Sequence, residues 1–386
     1  MIYDVAVAGT GLAGLSFACS LRQSSVALLA RGLHVPRPRG EPFDSRVYAI
    51  SPGNAAHLER IGAWQRIPGH CRTAVYGMRV HGDDARATIR FDAYDAGVAA
   101  IAWIVEDDRL QEALWDGIRA CPEIEVLAPV QWEGLAADER SATLGLGDGA
   151  MVEARLVVGA DGANSPVRAG AGISAREQAY GHTALVANLA CERPHRNLAS
   201  QWFLGGQVLA FLPLPGNVVS MVWSMPDQEA ARLLGMGQGE LAEEIARSAQ
   251  RSLGQMQVLG AAHGFPLRRL RAERMVSRRV ALLGDAAHVI HPLAGQGMNL
   301  GLQDARSLAA IVSGREPGRD AGDPALLRRF QRSRAEDTVL MDWTVHGLFK
   351  LFAHGNAFAR AARNAGLGLT DRLPLVKTLL MRQAMN

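Results

Sequence analysis

Residues that could bind a ligand are concentrated between positions 284 and 305, in the stretch GDAAHVIHPLAGQGMNLGLQDA. Asp285 supplies a carboxylate, and Gly295 and Gly297 leave the backbone open to close approach. An amphipathic helix that begins near Met298 is predicted by apolar residues at helical spacing, namely Leu302, Ala305, Ala309 and Val312. The N-terminus of a helix presents unpaired N–H groups and a partial positive charge, which suit an anion or the electron-rich edge of a ring. The stretch therefore predicts a helix end at which a ligand docks.

A second candidate site lies near the N-terminus, where Gly9, Gly11 and Gly14 have GxGxxG spacing. They follow a predicted strand from Asp4 to Ala8, and a predicted helix and a second strand, SVALLA, come next. In this context Gly9 would allow a tight turn, Gly11 would admit a pyrophosphate to the backbone, and Gly14 would let helix and strand pack closely. The pattern predicts dinucleotide binding; the alternative is a glycine-rich turn in an ordinary α/β protein.

One residue of the usual dinucleotide pattern is absent. The second strand of such units commonly ends in an acid that binds the ribose hydroxyls of the adenosine. Here that position is Ala30, followed by Arg31. Ribose binding is therefore expected to be weaker, or to be supplied by another group such as Arg31 or Glu41.

Composition limits the remaining possibilities. A chain of 386 residues with 48% hydrophobic residues is expected to form two lobes with sizeable cores. The 41 basic and 38 acidic residues nearly balance, which gives no electrostatic argument for nucleic acid. The four cysteines lie far apart without zinc-ligand spacing, so they are interpreted as reduced structural thiols and no metal site is predicted. With neither a signal segment nor a membrane-spanning run in the sequence, we expect a cytoplasmic protein, soluble or peripheral at the inner membrane surface.

Three further stretches complete a recognisable pattern. They are DSRVYAIS with Arg46, ARLVVGADGANSPVR with Asp161, and RVALLGDAAHVIHPLAGQGMNLG with Gly284 and Asp285. Together with GxGxxG, they resemble the FAD-dependent aromatic hydroxylases, the group that contains p-hydroxybenzoate hydroxylase. Two stretches are most similar to the ubiquinone-biosynthesis hydroxylases, namely the motif HPLAGQGMNLG and the C-terminal sequence RAEDTVLMDWTVHGLFKLF. The resemblance runs in order from Gly9 to about Leu367.

The resemblance implies roles for these residues toward FAD. Arg46 would reach the flavin side of the cofactor, Arg109 would brace its ribityl or phosphate portion, and Asp285 would accept hydrogen bonds from ribityl hydroxyls. Backbone amides near the start of the helix would face flavin N1 and the C2 carbonyl. The implied cofactor-binding set is Gly9, Gly11, Gly14, Arg31, Arg46, Arg109, Asp161, Gly284, Asp285, Gly295, Gly297, Met298 and Asn299.

Each of these assignments has a simpler alternative. Arg46 and Arg109 could be solvated or salt-bridged surface residues, and Asp161 could cap the turn after its strand instead of contacting the cofactor. His288 and His291 are more typical of hydrogen-bonded framework histidines, although His291 and Pro292 are placed in the flavin environment. Trp103 and Trp223 are interpreted as core or pocket-wall residues.

The activity that the resemblance implies is hydroxylation of the aromatic ring of a prenylated phenol or quinol in ubiquinone biosynthesis. Transiently bound NAD(P)H would reduce FAD, and O2 would then give a flavin C4a-hydroperoxide that transfers the oxygen. Peripheral membrane contact and association with other biosynthetic enzymes would accompany such a substrate. Two alternatives stay open: a flavin monooxygenase or reductase that acts on another aromatic or isoprenoid compound, and a non-catalytic partner that binds FAD weakly because of Ala30.

The predicted fold class is α/β, with a Rossmann-like FAD-binding domain, an inserted antiparallel-sheet substrate lobe and a helical C-terminal tail. The FAD-binding domain is assigned to 1–72, 105–179 and 271–322, the substrate lobe to 73–104 and 180–270, and the helical region to 323–386. In the lobe, QVLAFLPLPGNVVSMVWSMP predicts two strands joined by a Pro-Gly-Asn turn. A helix with Leu233, Leu241 and Ile245 is predicted to follow, and GMGQGE is interpreted as a helix connection. Asp323 and Pro324 predict the start of a helix. The basic, aromatic tail beyond it could contact a membrane surface or dock onto the FAD-binding domain.

Overall fold

The computed structural model describes residues 2–21, 23–37, 43–82, 88–290 and 296–335. The described strands are β1 (Ile2–Ala8), β2 (Val26–Leu29), β3 (Val47–Ile50), β4 (Thr73–Val75), β5 (Gly77–His81), β6 (Thr88–Asp92), β7 (Ala102–Glu106), β8 (Ile124–Leu127), β9 (Trp132–Ala137), β10 (Ala142–Leu146), β11 (Met151–Gly159), β12 (Ala175–Cys191), β13 (Leu198–Leu204), β14 (Gln207–Leu214), β15 (Val218–Pro226), β16 (Met256–Ala272), β17 (Val276–Ser277), β18 (Val280–Leu282) and β19 (His288–Val289). The described α-helices are α1 (Leu12–Ser20), α2 (Pro52–Arg60), α3 (Asp107–Arg119), α4 (Pro166–Gly170), α5 (Asp227–Leu234), α6 (Gln238–Ser248), α7 (Gln296–Ser313) and α8 (324–335). Short 3-10 turns occupy Trp64–Arg66, Gly69–Cys71 and Gly284–Ala286.

A parallel sheet forms the centre of the first lobe, in the order β18-β11-β1-β2-β8. Its inner strands are apolar on both faces, as in VAVA of β1 and VALL of β2, because helices and further strands cover both sides. Ala8 lies opposite Leu29 on one side and Gly159 on the other, and Gly159 lies opposite Leu282. The residues that follow these four strands therefore meet at one edge of the sheet, where α/β proteins bind ligands.

A second large sheet builds the other lobe, in the order β19-β16-β12-β15-β14-β13-β5-β6. One face packs against α5 and α6 through Leu185, Leu209 and Trp223, so this tryptophan is a core residue. Alternation along the strands places Val186 and Val222 on the opposite face, which we call the open face.

The β14–β15 hairpin confirms the two-strand prediction. The predicted helix after the hairpin is divided at the predicted helix connection: α5 ends at Leu234 and α6 begins at Gln238. Gly235 and Gly237 lie in the interruption, where glycine weakens a continuous helix.

A small sheet, β3-β7-β4, lies beside the two large ones. Trp103 in β7 is partly buried and packs edge-to-face on Trp64, with ring centroids 5.8 Å apart. The proposed boundary between 104 and 105 falls inside β7, and the boundary between 179 and 180 falls inside β12. The division into domains stays a prediction.

Two helix starts were predicted from the sequence. α7 begins at Gln296, two residues before the predicted Met298. At α8, Asp323 Oδ1 accepts hydrogen bonds from the backbone N–H groups of Ala325 at 2.7 Å and Leu326 at 3.4 Å, which confirms the predicted cap. Among the described helices, none is long and apolar enough to cross a membrane. The predicted helical tail after residue 335 lies outside the described residues.

Candidate functional site

The glycine turn between β1 and α1 gives its three glycines different surroundings. Gly9 has φ +109°, and a Cβ there would collide with the carbonyl oxygen of Ala160. A Cβ on Gly14 would collide with the carbonyl oxygen of Gly9 and lie 2.9 Å from the Cβ of Ala160. By contrast, a Cβ on Gly11 would meet no atom closer than Ala160 O at 4.0 Å. Gly9 and Gly14 are thus required by packing, whereas Gly11 leaves open surface.

That open surface lies at the N-terminus of α1. Gly11 is the N-cap residue, no side chain caps the helix, and no acidic residue occupies its first turn. The first N–H groups of α1 consequently meet no carboxylate from the helix's own first turn. This arrangement fits a diphosphate, which hydrogen-bonds to such amides and is favoured by the helix dipole.

The end of β2 carries a cation where an acid is usual. Ala30 is fully buried, and its backbone bonds to Leu127 O and Val130 N, both at 2.9 Å. Arg31 is exposed and lies over the indole ring of Trp132, 5.3 Å from the ring centroid. The end of β2 therefore carries a stacked guanidinium where the usual dinucleotide pattern has a carboxylate, and contact between Arg31 and the cofactor stays a prediction.

Asp161 holds both a turn and the neighbouring tryptophan. Its Oδ2 accepts hydrogen bonds from Trp132 Nε1 at 3.2 Å and from the backbone N–H of Val167 at 3.1 Å. The second contact supports the start of α4, as the capping interpretation expects. Its Oδ1 is buried with no partner among the described residues, so one oxygen is available to a donor from a ligand. Direct contact between Asp161 and the cofactor stays a prediction.

The two predicted arginines lie on neighbouring elements, Arg46 just before β3 and Arg109 in α3. Arg46 precedes β3, which pairs with β7, and its carbonyl accepts from the N–H of Asp107 at the start of α3. The exposed Arg46 guanidinium lies over Phe265 of β16, 5.5 Å from the ring centroid. Arg109 in α3 forms a 3.3 Å ion pair with Glu112, as its salt-bridged alternative describes.

Asp285 lies in the turn Gly284–Ala286, between β18 of the first sheet and β19 of the second. Its side chain is accessible to solvent, yet burial by surrounding protein raises its pKa. Accessibility and lost solvation together indicate a concave surrounding for the Asp285 carboxylate, which we call the cleft. His288, Arg268 and Arg46 oppose the rise, so their cations lie close to this carboxylate. The cleft thus joins the end of β18 to β16 and to the segment before β3.

The start of α7 is held by a buried amide. Asn299 Nδ2 donates to Ala49 O at 2.8 Å, and its Oδ1 accepts from Ser51 N at 3.0 Å and from Asn54 Nδ2 at 2.9 Å. This side chain fixes α7 against β3 and α2, which leaves its backbone amide as the group predicted to face a flavin. A Cβ on Gly297 would make only an ordinary contact, 3.8 Å from Ile290 Cγ1. Met298 packs partly buried against the main core.

Four predicted residues lie outside the described part of the chain. They are Glu41, His291, Pro292 and Gly295.

Sequence reasoning missed two buried groups beside the site. Trp132 joins Arg31 to Asp161 and belongs to no recognised motif. Asp304 is fully buried in α7, one helical turn from the buried Leu300 and Leu308. A carboxylate at helical spacing between two apolar residues was the signal that could have found it.

The comparisons with known proteins agree with this geometry. The FAD binding domain family matches residues 2–339. The chain belongs to this family. The flavoprotein is 34% identical to the ubiquinone hydroxylase UbiL of Rhodospirillum rubrum, over 100% of this chain and 90% of that protein. It is 32% identical to the 3-demethoxyubiquinol 3-hydroxylase of Escherichia coli, over 99% and 98% of the two chains.

The fold of the flavoprotein also has close counterparts among solved structures. The structure of PqsL, a probable FAD-dependent monooxygenase from Pseudomonas aeruginosa, matches with a TM-score of 0.79 at 24% identity, over 96% of this chain and 100% of that one. This likeness concerns the fold, and it confirms the predicted α/β class. The family and the names of its members establish FAD as cofactor and monooxygenation as the class of reaction.

Proposed function

We propose that this flavoprotein hydroxylates the aromatic ring of a prenylated phenol or quinol intermediate of ubiquinone biosynthesis, with NAD(P)H and O2 as co-substrates. The observation that carries the proposal is likeness over the whole length to two hydroxylases named for ubiquinone compounds, at 34% and 32% identity. The proposal takes its substrate from those names and its binding surface from the cleft.

The open face of the second sheet supports an apolar ring substrate. Val186, Val222 and Ala210 lie opposite one another on three neighbouring strands. Val222 and Ala210 are half-buried, and the described helices α5 and α6 pack on the other face of their sheet. Phe265 lies opposite Ala184 on the same face and carries the Arg46 guanidinium. Small apolar side chains beside the Asp285 cleft would bind a prenylated ring and exclude water.

The residues of the cleft fit FAD in three places. The first turn of α1 at Gly11 would bind the pyrophosphate, Asp285 would accept from ribityl hydroxyls, and the first amides of α7 would stabilise negative charge at the pyrimidine edge of the flavin. When bound, FAD supplies the redox chemistry, for which NAD(P)H is the reductant and O2 is the oxidant. The chain's own part is to orient the ring on the open face and to keep water away from it.

The test is product formation by the holoprotein. NAD(P)H oxidation is followed with a short-prenyl phenol under ¹⁸O2, and the product is examined by mass spectrometry. We expect substrate-stimulated oxidation and one ¹⁸O atom in the product. Val222→Asp should raise the KM for the prenylated phenol and leave the flavin spectrum unchanged, whereas Val222→Ala should change both little. Hydroxylation of a different aromatic compound alone would overturn the substrate and leave the FAD assignment intact.

We propose further that the protein is cytoplasmic and meets its substrate at the inner membrane surface. After β2, Leu33 and Val35 are 63% and 82% exposed. The inner side of this loop is held by His34, whose Nε2 lies 3.4 Å from Asp108 Oδ1. Exposed apolar residues beside Arg31 suit an anionic lipid surface. Flotation with anionic vesicles should recover the full chain and lose the Leu33→Asp, Val35→Asp variant; equal behaviour of the two would exclude this loop as the contact.

A further inference from the structure

A buried cluster of charged residues contacts the backbone N–H of Gly284, the residue before Asp285. Asp304 of α7 is fully buried, and His288 of β19 and Arg334 of α8 are 3% and 4% exposed. Asp304 Oδ2 lies 2.6 Å from His288 Nε2 and accepts from the backbone N–H of Gly284 at 3.1 Å. Asp304 Oδ1 accepts from Arg334 Nε at 2.8 Å. One carboxylate of α7 thus joins this helix to the stretch from Gly284 to His288 and to α8.

Attraction between the members of this cluster opposes the cost of burying them. Burial favours the neutral form of each group, but the Coulombic attraction and hydrogen bond between His288 and Asp304 outweigh it. The pKa of His288 is consequently raised and that of Asp304 is lowered, with Arg334 adding to the second effect. A buried carboxylate needs such partners, because an unpaired charge in the interior is strongly unfavourable.

The cluster acts on the backbone where the cleft begins. After Leu283, whose N–H donates to Gly159 O, the chain turns at Gly284 with φ +55°. A Cβ at Gly284 would lie 3.4 Å from Ala13 Cβ and 3.7 Å from Gly301 Cα, so this residue is wedged between α1 and α7. Its N–H is directed to Asp304, and the next residue is Asp285. A displaced Gly284 would therefore displace the carboxylate that faces the cleft.

We propose that Asp304, His288 and Arg334 form a positioning cluster that fixes Gly284 and Asp285 relative to the first turn of α7, and so controls how FAD is held. None of the three is assigned to contact FAD. They act through Asp285 and α7, which must reach the cofactor together.

The chain offers a matched control at the opposite edge of the same sheet. Arg279 precedes β18, and its Nη1 donates to Asp320 Oδ2 at 2.8 Å. The Arg279 side chain is only 9% exposed. Asp320→Asn therefore removes a partly buried Arg–Asp pair at the start of β18, whereas Asp285 follows the end of that strand.

The experiment measures FAD affinity and flavin environment apart from stability. For Asp304→Asn, His288→Gln and Asp320→Asn, we would titrate apoprotein with FAD, record the visible circular dichroism of the bound flavin, and measure the urea midpoint of the apoprotein. We expect Asp304→Asn to raise the Kd for FAD at least tenfold and to alter the flavin signal. His288→Gln should act in the same direction. Asp320→Asn should lower the urea midpoint and leave both flavin readouts unchanged.

The conservative variant Arg334→Lys keeps the charge and loses the Nε donor, so it should fold and give an intermediate Kd. The proposal is overturned if the folded fraction of every cluster variant binds FAD with wild-type Kd and an unaltered flavin signal. It is equally overturned if Asp320→Asn changes these readouts as much as Asp304→Asn, because the cluster would then be merely structural.

Discussion

Replacing Gly11 by alanine should separate ligand binding from packing in the first turn of α1. The backbone of Gly11 has φ −67° and ψ 165°, which alanine adopts without strain, and the added Cβ meets nothing closer than 4.0 Å. The poorer N-cap and the gain from a less flexible unfolded chain are each below about 1 kcal/mol and opposite in sign. The free energy of unfolding of the apoprotein should change by less than about 0.5 kcal/mol. The methyl group would nevertheless occupy the surface assigned to the pyrophosphate, and a tenfold weaker FAD complex corresponds to about 1.4 kcal/mol.

Gly14→Ala is the matched comparison within the same helix. Its Cβ would collide with the carbonyl oxygen of Gly9 and lie 2.9 Å from Ala160 Cβ, so backbone must shift. Overpacking of this kind costs about 1–3 kcal/mol or more, against about 1 kcal/mol gained from alanine in a helix interior. We expect a net loss of apoprotein stability of up to about 2 kcal/mol.

The assay combines urea denaturation of each apoprotein with FAD titration followed by quenching of flavin fluorescence. Gly11→Ala should keep the wild-type urea midpoint and raise the Kd for FAD at least about tenfold. Gly14→Ala should lower the midpoint. Wild-type FAD affinity in Gly11→Ala would refute the assignment of the pyrophosphate to this turn. A wild-type urea midpoint in Gly14→Ala would refute the packing argument.

Three further perturbations test other parts of the site. Asn299→Ala leaves several buried groups unpaired and should lower the free energy of unfolding by about 3 kcal/mol, measured in urea. Asp285→Ala should abolish flavin retention on gel filtration, whereas an unchanged flavin content would remove Asp285 from the site. Burial and nearby arginines lower the pKa of His57 to about 4 from an unfolded value of 6.5. The stability that His57 contributes is therefore complete above pH 6.5 and falls by about 3 kcal/mol as pH drops from 6.5 toward 4. His57→Gln, which keeps a polar group beside Ser16 Oγ at 2.9 Å from His57 Nε2, should remove this dependence of the free energy of unfolding on pH.

Local patterns in the sequence predicted the elements that carry the site. The strand, glycine turn and helix around Gly9 follow from apolar runs and from glycine's freedom to adopt positive φ, and the β14–β15 hairpin follows from apolar runs and a Pro-Gly-Asn turn. The start of α7 was displaced by two residues, because apolar spacing marks the middle of a helix better than its first turn. Apolar spacing continues across the break between α5 and α6, so the glycines of GMGQGE were the signal that marked the connection.

Contacts between distant residues could not be obtained in this way. The contact of Arg31 with Trp132 depends on the end of β2 meeting the segment just before β9, where Val130 N–H donates to Ala30 O. Neither residue of this contact belongs to a local motif. Asn299 was expected near a flavin, yet its side chain binds the backbone at Ala49 some 250 residues away. The sequence indicated which residue types gather at the cleft, whereas their partners depend on the register of strands far apart in the chain.

The ladder between β16 and β19 limits how this protein can be redesigned. β16 spans 17 residues of the second lobe, and its last residues pair with β19, where Arg271 lies opposite His288. Exchanging the whole lobe for that of a relative would therefore replace β16, the strand that pairs with β19 just after Asp285. Engineering of a new substrate preference should instead replace single side chains of the open face, such as Val222, and leave the hydrogen-bonded backbone of β16 in place.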